Sequence, residues 1–267
     1  MPHYHHPGGA ARLLINTRAS ADPGFSPSQV SQIAAGYWWD AALGVTNLGA
    51  ANFNWAEQNG KTTGDQVQVT TSRQPAAINA NGYGQFRFDK SIALGGTGTL
   101  TATTNTLQVG WTGATYVCGR FRVAGPAAVL TNRFFSHSLT AGNQRRLEIL
   151  NSSDVAVQMS LSTDGIVANA VTFAMHPFDV EFFAEFVFNP AAASGLRGEM
   201  WVNRVQQALT SGGITIASLF DGNSRMAPAG NSGATEHGYV TDCGWCAYAN
   251  GIPSDSDRNR LYGYKAA

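Results

Sequence analysis

Ala35-Gly-Tyr-Trp-Trp-Asp-Ala-Ala-Leu-Gly-Val45 decides the fold, read with its flanks from Phe25 to Asp89. Tyr37-Trp-Trp-Asp40 reads as a strand, because aromatic residues suit a pleated, half-buried surface. Side chains alternate along a strand, so Trp38 and Trp39 point to opposite faces. One fills the core, and the other covers an edge or packs under the N-terminal segment. Upstream, Pro27-Ser-Gln-Val-Ser-Gln-Ile33 predicts a short helical turn, with Ser26 as its cap and Pro27 in the first helical position. Downstream come Asn54-Trp-Ala-Glu-Gln-Asn-Gly60, the Gln74-Pro75 step, an Asn81-Gly82 turn and the alternating run Gly84-Gln-Phe-Arg-Phe-Asp89.

The same alternation continues to the end of the chain. Gln66-Val-Gln-Val-Thr70, Tyr116–Val123, Arg146–Leu150 and Val155–Leu161 all read as strands. Asn151-Ser-Ser-Asp154 reads as the turn of a hairpin. Val180-Glu-Phe-Phe-Ala-Glu-Phe-Val-Phe188 is the most strand-like run, and Gly198–Val205 and Gly238–Tyr248 follow. Ser254 caps a short closing helix over Asp255–Tyr264. The Gly- and Thr-rich stretch Gly95–Asn105 reads as a loop or a weak edge strand.

Composition agrees. Only 13% of the 267 residues are charged and 30 are Gly, which suits a β-sandwich with many turns rather than long charged helices. The 17 basic and 17 acidic residues balance, so nucleic acid is not an expected partner, and a neutral surface favours self-association. No export signal is read in Met1-Pro-His-Tyr-His-His, and no apolar run suits a membrane span. Three cysteines, Cys118, Cys243 and Cys246, are too few for a disulfide scaffold and imply a reducing site of folding. Residues 1–24 read as an extended arm with His3, His5 and His6 and one apolar patch. That patch, Leu13, Leu14 and Ile15, is a candidate contact with a neighbouring subunit. Residues 25–267 form one domain.

These residues together resemble the laminin-G-like or concanavalin-A-like jelly roll, in the version common in phage structural proteins. The resemblance rests on Phe25-Ser-Pro with Gly36-Tyr-Trp-Trp-Asp-Ala, on Asn54–Gly60, on Gln74-Pro75 with Asn81-Gly82 and Phe86-Arg-Phe-Asp89, and on Trp201-Val-Asn-Arg204 with the closing Asp255–Tyr264. It spans about residues 25 to 264. It implies an all-β fold of two antiparallel sheets packed face to face. Arg204 stands where the family's turn has Gly, which predicts a wider hairpin there.

Chemistry-bearing constellations are few. Asp179, Glu181 and Glu185 share a face of one strand, but glycoside hydrolysis needs two carboxyl groups about 5 to 10 Å apart. A rise of about 3.3 Å per residue separates the Cα atoms of Glu181 and Glu185 by about 13 Å. The bland reading puts Phe182, Phe186 and Phe188 inward and the carboxylates outward. Cys243-Gly-Trp-Cys246 lies in a strand, where residues three apart face opposite ways, so it predicts ordinary thiols rather than a redox or zinc site. Loops at Asp221-Gly-Asn-Ser and Asn151–Asp154 lack the dense acidic spacing of a calcium loop. No catalytic residue, cofactor or metal is expected, and the chain is expected not to be an enzyme. The leading expectation is a phage virion protein, such as a decoration or fibre component. It would fold in the host cytoplasm, form a homo-oligomer and contact other virion proteins. The other is a glycan-binding module for a host surface, with Trp38, Trp111 or Trp245 as the stacking platform.

Overall fold

The computed structural model describes residues 22, 24–50, 53–68, 74–80, 83–88, 95–96, 108–123, 133–138, 145–152, 156–174, 176–229 and 241–264. Leu13, Leu14, Ile15 and the three N-terminal histidines lie outside the described residues, as do Ser153, Asp154 and the Asn81-Gly82 turn.

Ser26 Oγ accepts from Ser28 N and opens a 3-10 turn at Pro27–Gln29, which leads into α1 (Ser31–Ala35). Gly36 then lets the chain pass under its neighbour, since a Cβ there would sit 2.0 Å from the Tyr248 carbonyl oxygen. β1 (Tyr37–Asp40) follows, then β2 (Val45–Thr46), β3 (Phe53–Trp55), β4 (Gln66–Gln68), β5 (Ala76–Ala80), β6 (Tyr83–Phe88) and β7 (Gly95–Gly96). The middle of the chain holds β8 (Thr115–Val123), β9 (Arg133–Ser138), β10 (Leu147–Asn151), β11 (Ala156–Leu161) and β12 (Asn169–Ala174). The last third holds β13 (Glu181–Phe188), β14 (Gly198–Val202), β15 (Val205–Gln206), β16 (Leu209–Gly212), β17 (Arg225–Pro228), β18 (Thr241–Asn250) and α2 (Asp255–Gly263). Ser254 caps α2 as the sequence predicts, its Oγ accepting from Asp257 N at 3.2 Å.

The strands form an antiparallel sandwich. One sheet has eight strands in the order β15-β14-β13-β8-β18-β6-β5, with β1 also on β18. The other has six, β16-β12-β11-β10-β9-β17, and a small four-stranded sheet, β2-β3-β4-β7, is added to the two expected ones. Alternate positions of the two large sheets meet in the main core. Phe121, Phe182, Phe186 and Tyr248 face Phe134, Ile149, Met159 and Phe173 there, with Phe53 and Trp55 closing one side. Trp39 lies in this core, and Trp38 lies on the opposite face of the sheet, as the alternation requires.

The eight-stranded sheet is buried on part of its outer face as well. Phe25, Val30 and Ile33 from the N-terminal segment and Leu261 from α2 pack on Trp38, Cys118, Phe183 and Trp245. Each large apolar side chain buried this way contributes about 1.5–3 kcal/mol, so the two terminal segments hold the sheet as a third layer.

β18 changes partner at its middle. Residues 241–243 pair with β6 and residues 245–248 pair with β1, and its register with β8 shifts between Cys243 and Trp245. This bulge adds one residue, Gly244, which inverts the alternation beyond it. Cys243 and Cys246 therefore both face the main core, whereas a regular strand would send them to opposite faces. Both are fully buried, and burial pushes their thiols well above the ordinary range, so neither is a ready nucleophile.

Candidate binding face

The outer face of the eight-stranded sheet carries the unusual chemistry. It holds two buried carboxylates, each gripped by two arginines. The first is Glu185 on β13, whose side chain is 0% exposed. Its Oε1 accepts from Tyr116 Oη at 2.8 Å, Arg204 Nη1 at 2.9 Å and Arg258 Nε at 2.7 Å, and its Oε2 accepts from Arg204 Nη1 at 3.0 Å. Both guanidinium groups lie over the Trp201 ring, at 5.6 Å for Arg204 and 4.8 Å for Arg258. Asp255 at the start of α2 accepts from both arginines. Burial first, then the neighbouring Cys118 and Glu185, raises the Tyr116 phenol well above its usual range, so it remains a donor.

The β14–β15 hairpin supplies Arg204 to this cluster, and it is tighter than the sequence suggested. Val202 pairs with Val205, leaving only Asn203 and Arg204 in the turn, at φ 49° and 67°. Two successive left-handed residues match a hairpin turn to the twist of its strands. A non-glycine residue pays about 1 kcal/mol for that conformation. Asn203 Oδ1 offsets it by accepting from Phe183 N at 2.9 Å, and Arg204 by its grip on Glu185. Arg204 thus replaces glycine without widening the loop.

The second carboxylate is Asp242 on β18, whose side chain is 1% exposed. It stands directly opposite Arg87 of β6 on one side and Arg122 of β8 on the other. Arg87 donates from Nε to Oδ1 at 2.8 Å and from Nη2 to Oδ2 at 3.0 Å. Arg122 donates from Nη1 to the same Oδ2 at 3.2 Å. No apolar layer covers this group among the described residues, and the two arginine side chains are 41% and 29% exposed. Asp179, in a left-handed conformation just before β13, accepts weakly from Arg122 Nη2 at 3.5 Å.

Between the two lies a boundary row. Glu181 accepts from Tyr83 Oη at 2.5 Å, Gln85 Nε2 at 2.8 Å and Arg120 Nη1 at 3.4 Å. Arg120 also donates to the carbonyls of Tyr262 and Tyr264, so it anchors the end of the C-terminal segment at this line. Gly244 lies under the row, where a Cβ would come within 2.4 Å of the Tyr83 ring. Burial, and next the Glu181 charge, pushes the Tyr83 phenol far up.

Phe182, Phe186 and Phe188 point inward and Glu181 and Glu185 lie on the other face, but Glu185 is sealed rather than solvated. Trp38 and Trp245 are buried beneath the terminal segments, so neither offers a ring face to a sugar. Trp111 is half-buried, stacked on Tyr37 with Arg146 over it. Arg87, Arg122 and Asp242 were missed. Their signal was a polar position inside each of three apolar alternating runs, and only strand order brings the three together. Among the described residues no group of three His, Cys, Asp or Glu side chains could hold a metal ion.

No family model matches this sequence, and no curated protein matches it either. Solved structures do match in fold. Trypanosoma rangeli sialidase in complex with 2,3-difluorosialic acid is similar over 85% of this chain at TM-score 0.53 and 12% identity. The same enzyme in complex with sialic acid is similar at TM-score 0.51 and 13% identity. The binding domain of Paraclostridial Mosquitocidal Protein 1 is similar over 86% of this chain and 52% of its own, at TM-score 0.56 and 7% identity. The chain spans about a third of the length of the sialidases, the match covering 32% of them. The expectation that the chain is not an enzyme is corrected by these matches. A sandwich of this kind also forms part of sialidase chains, so the fold gives no ground for setting enzymes aside. What the likenesses establish is the β-sandwich itself, a jelly-roll type of domain shared with sialidases and with the binding domain of a mosquitocidal protein.

Proposed function

We propose that this chain is a binding module for a surface glycan, with the open half of the outer face as its contact surface. The observation that carries the proposal is the Arg87–Asp242–Arg122 row, held rigid by a buried carboxylate and open to solvent. Sugar hydroxyls need donors and acceptors fixed in place, because ordering loose side chains offsets the bonds gained. Here the sheet register does the ordering before any ligand arrives. Binding to a panel of neutral and acidic glycans, measured for the natural chain and for the double variant Arg87→Ala, Arg122→Ala, tests it. Binding lost in a variant that stays folded is the expected result. An unaltered profile would overturn this placement of the site, and no binding by the natural chain to any glycan would overturn the function.

A second reading is assembly with further copies and with other virion proteins, and it has its own observation. Val205–Gly212 forms the edge of both large sheets in turn, without a charged residue or a proline, and Val205 and Leu209 are exposed. Such an edge invites pairing with another chain. Carriage on a phage particle is supported by the sequence resemblance. The mass in solution of the natural chain against Val205→Lys, Leu209→Lys tests the assembly.

A further inference from the structure

We infer that the open row takes an anionic group, a carboxylate or a sulfate carried by the glycan, bridged between Arg87 and Arg122. This rests on the glycan-binding reading and deepens it. The sealed cluster lies on the same face of the same sheet. There Glu185 is also held by two arginines, and a second acidic group, Asp255, accepts from both guanidiniums. In the sealed cluster, then, a second anion bridges the two arginines from the exposed side.

In the open row Asp179 meets Arg122 alone, and its contact with that arginine is the longest in the row. Arg87 spends Nε and Nη2 on Asp242, and its Nη1 has no acceptor among the described residues. Arg122 reaches Asp179, but only at 3.5 Å through Nη2, while its Nε donates to the Asp179 carbonyl at 3.2 Å. Because Arg87 Nη2 and Arg122 Nη1 share one Asp242 oxygen, they lie no more than about 6 Å apart. Two oxygens of one carboxylate or sulfate can span such a pair, and guanidinium groups favour that geometry. Arg87 and Arg122 together outnumber Asp242, and the acid that balances the count, Asp179, sits at the exposed edge beside Arg122. Asp179 is 57% exposed, and a ligand anion would compete with it for Arg122. Glu181, on the neighbouring row, faces Arg120, Tyr83 and Gln85 instead.

The test uses three immobilised polymers with one backbone: dextran, carboxymethyl dextran and dextran sulfate. The natural chain is expected to prefer one or both charged polymers, and which of them it prefers distinguishes carboxylate from sulfate. Arg87→Ala and Arg122→Ala should each weaken that binding about tenfold or more, as expected for a lost charge-assisted hydrogen bond. Arg87→Lys should fall between, keeping charge and losing the fork. Arg260→Ala, on α2 and away from the row, should bind as the natural chain does, which controls for general charge attraction. Charged-polymer binding that Arg260→Ala reduces as much as Arg87→Ala does would overturn the site. Equal binding of all three polymers, or none, would overturn the anionic inference. Neutral glycans still bound through the row on the panel would then leave the glycan-binding reading standing.

Discussion

Glu185 and Asp242 sit on the same face of the same sheet, each buried and each held by two arginines, but only one of them is shut in. Around Glu185 the arginine side chains are 13% and 8% exposed, roofed by Trp201 and α2. Around Asp242 they are 41% and 29% exposed. The chemistry of the two groups is nearly identical, and the difference is the cover. A sealed ion pair keeps its charges in a medium that screens poorly, so removing one partner strands the others. An open pair can turn its arginines to water and loses little, which leaves its donors available to a ligand.

The largest expected effect breaks the comparison if it fails. Glu185→Gln should destabilise the fold by about 3–5 kcal/mol, because Arg204 and Arg258 lose their buried counter-charge. Asp242→Asn should cost clearly less, on the order of 1–2 kcal/mol, because its arginines can be solvated. Urea denaturation of both variants measures the gap, and equal costs would mean that the cover does not matter.

The comparison is sharpest at neutral pH, because a third buried group, His176, makes the whole fold sensitive to acid. His176 is buried, stacked on Phe182 at 4.6 Å, and burial pushes it down to about 4 from an ordinary 6.5. Its folded pKa is the lower one, so its stabilisation is complete above about pH 6.5 and is lost as pH falls towards 4. The loss amounts to about 3 kcal/mol by the low end of that window. Replacing it as His176→Phe should flatten the pH dependence of stability between those limits.

Arg204 sharpens the sealed side. Arg204→Ala loses the ion pair and keeps the left-handed strain, and Arg204→Gly loses both. The glycine variant should therefore be the more stable by about 1 kcal/mol, read as a shift in denaturation midpoint. The smallest effect lies on the open side. Arg87→Ala should change stability by less than about 1 kcal/mol while weakening the ligand response about tenfold or more.

Much of the fold was legible because strands announce themselves locally. Tyr37–Asp40, Tyr116–Val123 and Glu181–Phe188 alternate or are dense in aromatic residues, and their inward and outward sets follow from the pleat. Ser254 and Ser26 marked the starts of α2 and of the N-terminal turn for a reason equally local, a side-chain oxygen for an orphan N–H. β9 and β12 were not read from Arg133-Phe-Phe-Ser-His-Ser138 or Asn169-Ala-Val-Thr-Phe-Ala174, which mix small and polar residues with few apolar ones. Their strand state comes from pairing with neighbours. The face of Cys246 was misread for the opposite reason, since a single bulge at Gly244 overrides a period that local pattern assumes.

The candidate site shows the limit most clearly. Alone, the sequence determined an all-β sandwich with a short C-terminal helix, a neutral surface and the outward direction of Arg87, Arg122 and Glu185, since these depend on neighbours in the chain. Tertiary structure alone decided which carboxylate meets which arginines, and which group lies under α2. Arg87 and Asp242 are 155 residues apart and Glu185 and Arg258 are 73 apart. Strand order and the docking of the termini set those distances. Both follow from how the whole chain buries its apolar faces, which no local pattern records.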